Sequence, residues 1–470
     1  QSFRIPDGYY PPDEDFAEDF LKEITAGQRR IHVLWGSPGQ GKSTFLSYLC
    51  TELDKLAVPH IRHHYFLDLA DTSNRLSFPE VANSLMAQME AQHIEHLQGK
   101  TSVPGRLQDS ENLRSWLEAC AKGYALQGKR FLVIVDGLDH VWRENEGDRR
   151  PLESLFSAIF PLPDNLVLVL GTQRVDKEQL PSAFLRFVNT DDWIELPSMS
   201  LTAVKQWLEA QLNANRFELP ERPSEFLSDP LTELSSKFHE LSHGHPLHLI
   251  YSFENIAREA RVLIPRLIDE LPDCPDGNIR TYYRVLWQRL SFQAKDALHL
   301  VADIDFIWPN LGLEDCLGIP IGELNREIGH LFYSTEAGKV PFHGSILAFI
   351  REDPEHVGRV VTLLPRVITW LETKSPAFHT WGWLWLLKAR AGQTDDLINK
   401  PNRNWVIDSL ASAYPPEQIV AILSAAERAA HTSHQFARSV RIRLLKDRVN
   451  YGTQFQVDDY DRVSTCAIAL

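Results

Sequence analysis

Residues 31–46 read IHVLWGSPGQGKSTFL, and Gly36 to Ser43 fit the spacing G-x-x-x-x-G-K-[ST]. Gly36, Gly39 and Gly41 permit a loop whose backbone N–H groups turn inward at the start of a helix, a concave site for anions. A bulky side chain at Gly41 would obstruct the approach of phosphate to that backbone. Lys42 is placed to neutralise β- and γ-phosphates, and the Ser43 hydroxyl, with Thr44 beside it, to ligate Mg²⁺. The apolar run before the loop and the helical spacing after it supply the strand and helix that such a loop requires.

Two further stretches add charge of the right kind. FLVIVDGLDHV puts Asp136 at the end of a buried run, where a carboxylate can hold a Mg²⁺ water. Asp139, three residues on, either handles the attacking water or caps the next helix. NLVLVLGTQR ends in Arg174 at the edge of a sheet where open α/β folds bind ligands. Its forked, always charged guanidinium suits a γ-phosphate or, more plainly, a surface ion pair.

Five short apolar runs (IHVLW, IRHHYFL, FLVIV, NLVLVLG, DWIEL) alternate with amphipathic stretches from about residue 30 to 198. That pattern predicts a parallel sheet covered by helices on both faces. Residues 1–28 read as a lead-in segment and 29–198 as the α/β domain. Helical periodicity alone runs through 199–275, a small helical domain. Residues 276–352 mix helices with GKVPFHGS, which suits a winged helix. From 353 to 470 amphipathic helices suggest the start of a helical repeat region, without a fixed period.

The 470 residues exceed what one hydrophobic core covers. A net charge of -15 argues against a surface broadly adapted to nucleic acid or acidic membranes. The five scattered cysteines form no CxxC pair and read as buried thiols of a reducing, cytoplasmic compartment. No apolar run approaches the ~20 residues of a membrane span. The chain starts at Gln1, and it is expected to be a piece of a longer polypeptide. HIRHH and HIEH lack a convincing third zinc ligand. Arg438, Arg441 and Arg448 read as a solvated helix face, and HTWGWLWLL as buried helix.

Taken together, these motifs resemble the STAND class of P-loop NTPases, signal-transducing relatives of AAA+ ATPases that include NACHT and NB-ARC proteins. LVIVDGLDH looks like the family's Walker B block and VLVLGTQR like its sensor strand. LSHGHPLHL is similar to its GxP element, and VPFHGSILAFI to its winged-helix segment. The resemblance implies an α/β P-loop core followed by a helical domain, a winged-helix domain and TPR-like repeats. It also implies ATP/ADP and Mg²⁺ as cofactors, with Ser43 and Asp136 on the metal and Lys42 on phosphate. Arg174 would read the γ-phosphate, Pro246 would pack on adenine, and His343 would touch the β-phosphate of ADP unless it is a structural turn histidine. The family's Walker B block usually ends in an acid, whereas this chain has His140, leaving Asp139 as the obvious water-activating carboxylate. Slow ATP hydrolysis is the expectation. No Gly-Arg entry motif precedes the first strand, so residues 1–28 supply no assigned adenine contact.

The reading that follows is a regulated switch, closed by ADP and opened by a trigger, that then forms a homo-oligomer. Among relatives of this architecture it resembles NLR-type immune sensors, including the antiviral STAND proteins of prokaryotes, with a protein trigger, possibly viral, read by the carboxy-terminal repeats. Two other classes remain open: a remodelling ATPase taking an arginine finger such as Arg149 or Arg150, and a transcription regulator. Nucleic acid and membrane are not expected partners of this segment.

Overall fold

Strand β3 (Phe131–Asp136) is buried at all six positions and β4 (Leu166–Thr172) at all seven. A strand with no solvent face must be covered on both sides, and its side chains divide accordingly. Val133 and Val135 enter one apolar core, and Leu132 and Ile134 the opposite one. With β1 (Ile31–Trp35), β2 (His60–His64) and β5 (Ile194–Glu195) these strands form a parallel sheet in the order β2-β3-β4-β1-β5. The computed structural model describes residues 5–6, 8–66, 75–97, 110–144, 148–173, 180–220, 226–274, 277–304 and 306–453.

Helices α1 (Glu14–Ala26) and α2 (Lys42–Lys55) cover one face of the sheet. Phe45, Leu46, Leu49, Cys50 and Leu53 recur at helical spacing on α2 and are all fully buried there. The lead-in segment thus contributes α1 to this core through Ala17, Phe20 and Ile24. The other face is covered by α3 (Phe78–Gln92), α4 (Ser110–Ala125) and α6 (Arg150–Ile159). A short helix α5 (Leu138–Glu144) follows β3, and α7 (Ser182–Leu185) lies before β5.

A second core runs from Met199 to Ile268. It is enclosed by α8 (Leu201–Asn213), α9 (Pro230–Ser242), α10 (Pro246–Glu259) and α11 (Pro265–Asp269). Ser200, Asp229 and His245 each accept a backbone N–H as the N-cap of α8, α9 and α10. The lead-in is stitched to this unit, since Pro12 O accepts the Ser200 N–H at 2.8 Å.

The third core is built by α12 (Ile279–Arg289), α13 (Phe292–Asp303), α14 (Gly312–Leu317) and α15 (Ile321–Ile328). The antiparallel hairpin β6 (Phe332–Ser334) and β7 (Lys339–Pro341) and helix α16 (Ser345–Arg351) complete a winged-helix arrangement. Its core continues into α17 (His356–Thr373) through Val360, Leu363, Leu364, Val367 and Leu371. A domain boundary at 352 would therefore run through a packed interior. The turn at 352–355 is too short to carry α17 away, and its apolar face lies on α13 and α14.

Helix α18 (Ala377–Arg390) divides its tryptophans between two cores. Trp383 and Leu384 pack toward α12–α17, while Trp381 and Trp385 pack toward the last unit. That unit holds α19 (Asp395–Asn399), α20 (Arg403–Ala411), α21 (Pro416–Thr432) and α22 (Phe436–Thr453). Among the described residues no helix is long and apolar enough to cross a membrane, and no cluster of three or more His, Cys, Asp or Glu is placed to hold a metal ion. The four described cysteines are buried free thiols.

If α17 closes the winged-helix core, Leu364→Ala should destabilise that unit by about 2–5 kcal/mol. Amide hydrogen exchange should then rise in α13 and α16 while α21 keeps its protection. Faster exchange confined to α19–α22 would instead assign α17 to the carboxy-terminal helices.

Candidate functional site

The site forms where β1, β3 and β4 end. Gly39 and Gly41 adopt φ of 78° and 87°, the left-handed region that side chains resist, and Gly41 is the N-cap of α2. The loop from Gly36 to Gly41 thus delivers the first N–H groups of α2 without a side chain in front of them. Lys42 is buried, and its Nζ donates to the carbonyls of Gly36 at 2.8 Å and Ser37 at 3.0 Å, so the ammonium lies over the loop. Ser37 Oγ donates to Gln40 Oε1, and Gln40 Nε2 donates to Ser198 Oγ at 3.3 Å, at the junction with the helical unit. Ser43 and Thr44, both half-buried, follow in the first turn of α2.

Asp136 ends β3 with 1 % exposure. Parallel register sets His64 of β2 beside it on one side and Gly171 of β4 on the other. His64 Nδ1 lies 3.2 Å from Asp136 Oδ2, while Oδ1 has no hydrogen-bond partner among the described residues. Burial alone would raise the carboxyl pKa, but His64, then Ser43 and Lys42, outweigh it and hold Asp136 below the usual carboxylate range. A buried, ionised carboxylate with one oxygen left over, near Ser43 and Lys42, fits a hydrated Mg²⁺ bound with nucleotide phosphates. Gly171 is required by the same crowding. A Cβ there would overlap Asp136 Oδ1 and lie 2.6 Å from Leu46 Cδ1.

Asp139 sits in the first turn of α5 at 2 % exposure, and its Oδ1 accepts the Gln173 N–H at 3.1 Å. It therefore ties the block after β3 to the end of β4. Arg174 lies outside the described residues. His140 stacks on Phe66 with ring centroids 4.7 Å apart. Arg150, the first residue of α6, is exposed and paired with Asp148 just before the helix.

The helical unit reaches the loop through the start of α10. A Cβ at Gly39 would sit 2.6 Å from Leu247 Cδ2, and one at Gly41 would sit 3.9 Å from Pro246 Cγ. His245 Nε2 donates to Pro38 O at 3.2 Å. Pro246, chosen from the GxP-like stretch, is thus placed against the phosphate loop. Helix α10 also serves two cores, with Leu249 and Phe253 in the helical unit and Leu247 and Tyr251 in the winged-helix unit.

His343 is half-buried between β7 and α16, and its Nδ1 meets Ser345 Oγ at 2.8 Å and the Ser345 N–H at 3.0 Å. Ser345 Oγ in turn contacts Tyr283 OH at 2.8 Å, and Tyr283 OH lies 3.3 Å from Tyr251 OH on α10. A continuous polar chain therefore joins His343 to the helix that covers the loop. A cavity of about 330 Å³ lined by Arg30, Ile31 and Trp193 opens at the opposite end of β1, away from this chemistry.

The residues missed by sequence reasoning are His64 and His245. The signal for His64 was the polar end of HIRHH, which needed the strand register to place it beside Asp136. The signal for His245 was its position before Pro246 at the first turn of α10, the place of an N-cap.

Residues 16–170 match the family model described as Nephrocystin 3, N-terminal. No curated protein matches the chain. Among solved structures the chain is similar to a Signal Transduction ATPase with Numerous Domains (STAND) protein with a tetratricopeptide repeat sensor from Pyrococcus horikoshii, at 13% identity and a TM-score of 0.43. That likeness covers 100% of this chain, which spans only 58% of the other. A Walker-type ATPase of Pyrococcus abyssi follows at 15% identity and TM-score 0.37, covering 75% of this chain and 98% of that one. The Aeropyrum pernix ORC2 protein, in ADPNP–ADP complexes, gives 13% identity and TM-score 0.36 over 74% of this chain and 96% of its own.

Burial lowers the pKa of His245 to about 4 and of His248 and His330 to about 3. In the folded chain they stay neutral, whereas the unfolded chain takes up their protons below about pH 6.5. The unfolded state then binds more protons, so stability falls as pH drops from about 6.5 to 4, by at most about 1.4 kcal/mol per unit for each histidine. Thermal unfolding should be nearly level from about pH 8 to 7 and should drop clearly between about 6.5 and 4.5. A level midpoint through the lower window would show that these rings are protonated when folded.

Proposed function

We propose that this chain, whose amino-terminal part is a P-loop NTPase domain of the STAND class, is a nucleotide-controlled switch. The observation that carries the reading is the seating of α10 on the phosphate loop, with Pro246 and Leu247 against Gly41 and Gly39. A nucleotide on that loop would lie between separately packed units, so its identity would bear on how they close. A ligand moves such an equilibrium only by binding one state better than the other, and rapid turnover is not needed.

In this reading Lys42 and the N–H groups of residues 39–44 hold the phosphates. Ser43, and Asp136 through water, would hold Mg²⁺, which would supply positive charge to offset that of the phosphates. Asp139 orients the water from its place beside Gln173, and slow hydrolysis follows from its being a single candidate acid. Pro246 packs on adenine, Arg174 reads the γ-phosphate, and His343 reads the β-phosphate of ADP. Loss of that last contact would be felt along Ser345, Tyr283 and Tyr251 by α10.

The resemblance to NLR-type proteins supports homo-oligomerisation as the consequence of opening. It further supports a protein trigger read by the carboxy-terminal helices and a role as sensor in antiphage defence, with an effector joined to this module.

Two measurements on one set of proteins test the switch. Native protein should carry ADP as a monomer and form larger species on exchange into an ATP analogue. Lys42→Ala should bind ADP about 10- to 100-fold more weakly, the worth of one or two charge-assisted hydrogen bonds. Unchanged affinity in that variant would refute the site, and identical size distributions with either nucleotide would refute the switch.

A further inference from the structure

We infer that His245 is a latch, a positioning residue that fixes the phosphate loop to the start of α10 and so sets how fast nucleotide leaves. The inference rests on the switch reading above. The ring is 1 % exposed, and both nitrogens are engaged. Nδ1 accepts the His248 N–H at 3.4 Å and caps α10. A nitrogen that accepts carries no proton, so in the neutral ring Nε2 carries it and donates to Pro38 O.

Pro38 O and the Gly39 N–H belong to one peptide unit. Because that unit is planar and trans, its C=O and N–H point to opposite sides. Holding the carbonyl toward α10 therefore fixes the direction of the Gly39 N–H in the anion-binding loop. Gly39 has no Cβ to resist rotation of the peptide, and Leu247 packed against it restrains the loop only by contact. The imidazole is the one directional tie between the loop and α10 among the described hydrogen bonds. Less than two turns along the same helix, Tyr251 belongs to the polar chain that reaches His343. A shift of the winged-helix unit thus has a directional route through α10 to the Pro38–Gly39 peptide.

Two substitutions separate the latch from the cap. His245→Asn keeps a good N-cap side chain but is too short to reach Pro38. His245→Gln places an amide N–H where Nε2 stood and gives up the favoured cap. Amide hydrogen exchange at residues 39–41, without nucleotide, reads the latch itself. Release of mant-ADP, chased with unlabelled ADP, reads its consequence. His245→Asn should raise both rates about five- to tenfold, the worth of one hydrogen bond, and His245→Gln should stay within about twofold of the native chain. Native exchange at 39–41 in His245→Asn would overturn the latch, as would equal effects of the two variants, which would make capping the cause. If loop exchange responds as expected but the native chain does not retain mant-ADP, the latch stands and the switch reading fails.

Discussion

A phosphate loop has to leave its N–H groups uncovered, and that constraint governs the rest of this molecule. The left-handed glycines at 39 and 41 remove the side chains that would otherwise shield the loop. Protection from water must then come from elsewhere in the chain. Here it comes from the start of α10, whose His245, Pro246 and Leu247 close on Pro38, Gly41 and Gly39. The bareness that suits the loop to an anion is what makes it dependent on a second folded unit.

The carboxylate side of the site is governed by crowding within the sheet. Asp136 is ionised in a place where burial opposes charge, and His64, Ser43 and Lys42 offset that penalty. Close approach of β4 is possible only because Gly171 has no side chain to meet Asp136. The charge at the end of β3 is therefore set by neighbours on β2 and α2, and the room for it by β4, none of which is adjacent to it in the chain.

Helix α10 ties these local arrangements to the larger architecture. It contributes apolar side chains to two cores, carries Tyr251 toward Tyr283 and Ser345, and begins at the phosphate loop. Packed interiors deform little, so a helix shared by two of them moves with both or separates from one. The extension of the winged-helix core into α17 lengthens that rigid body toward the tryptophans of α18.

The loop, the five strands and the helix that begins at Lys42 were all legible along the chain, because each follows from local chemistry. Glycine at left-handed positions, continuous apolar runs and helical spacing are all read over a few residues. Asp136 was legible for the same reason, as the first charge after a buried run. That His64 stands beside Asp136 emerges in the folded chain, since strand register joins residues 72 apart. The fold alone placed His245 on Pro38 and bonded Asp139, in the first turn of α5, to the Gln173 N–H. The reach of the third core past residue 352 was equally hidden, because an amphipathic helix shows in sequence which face is apolar but not which neighbour will cover it.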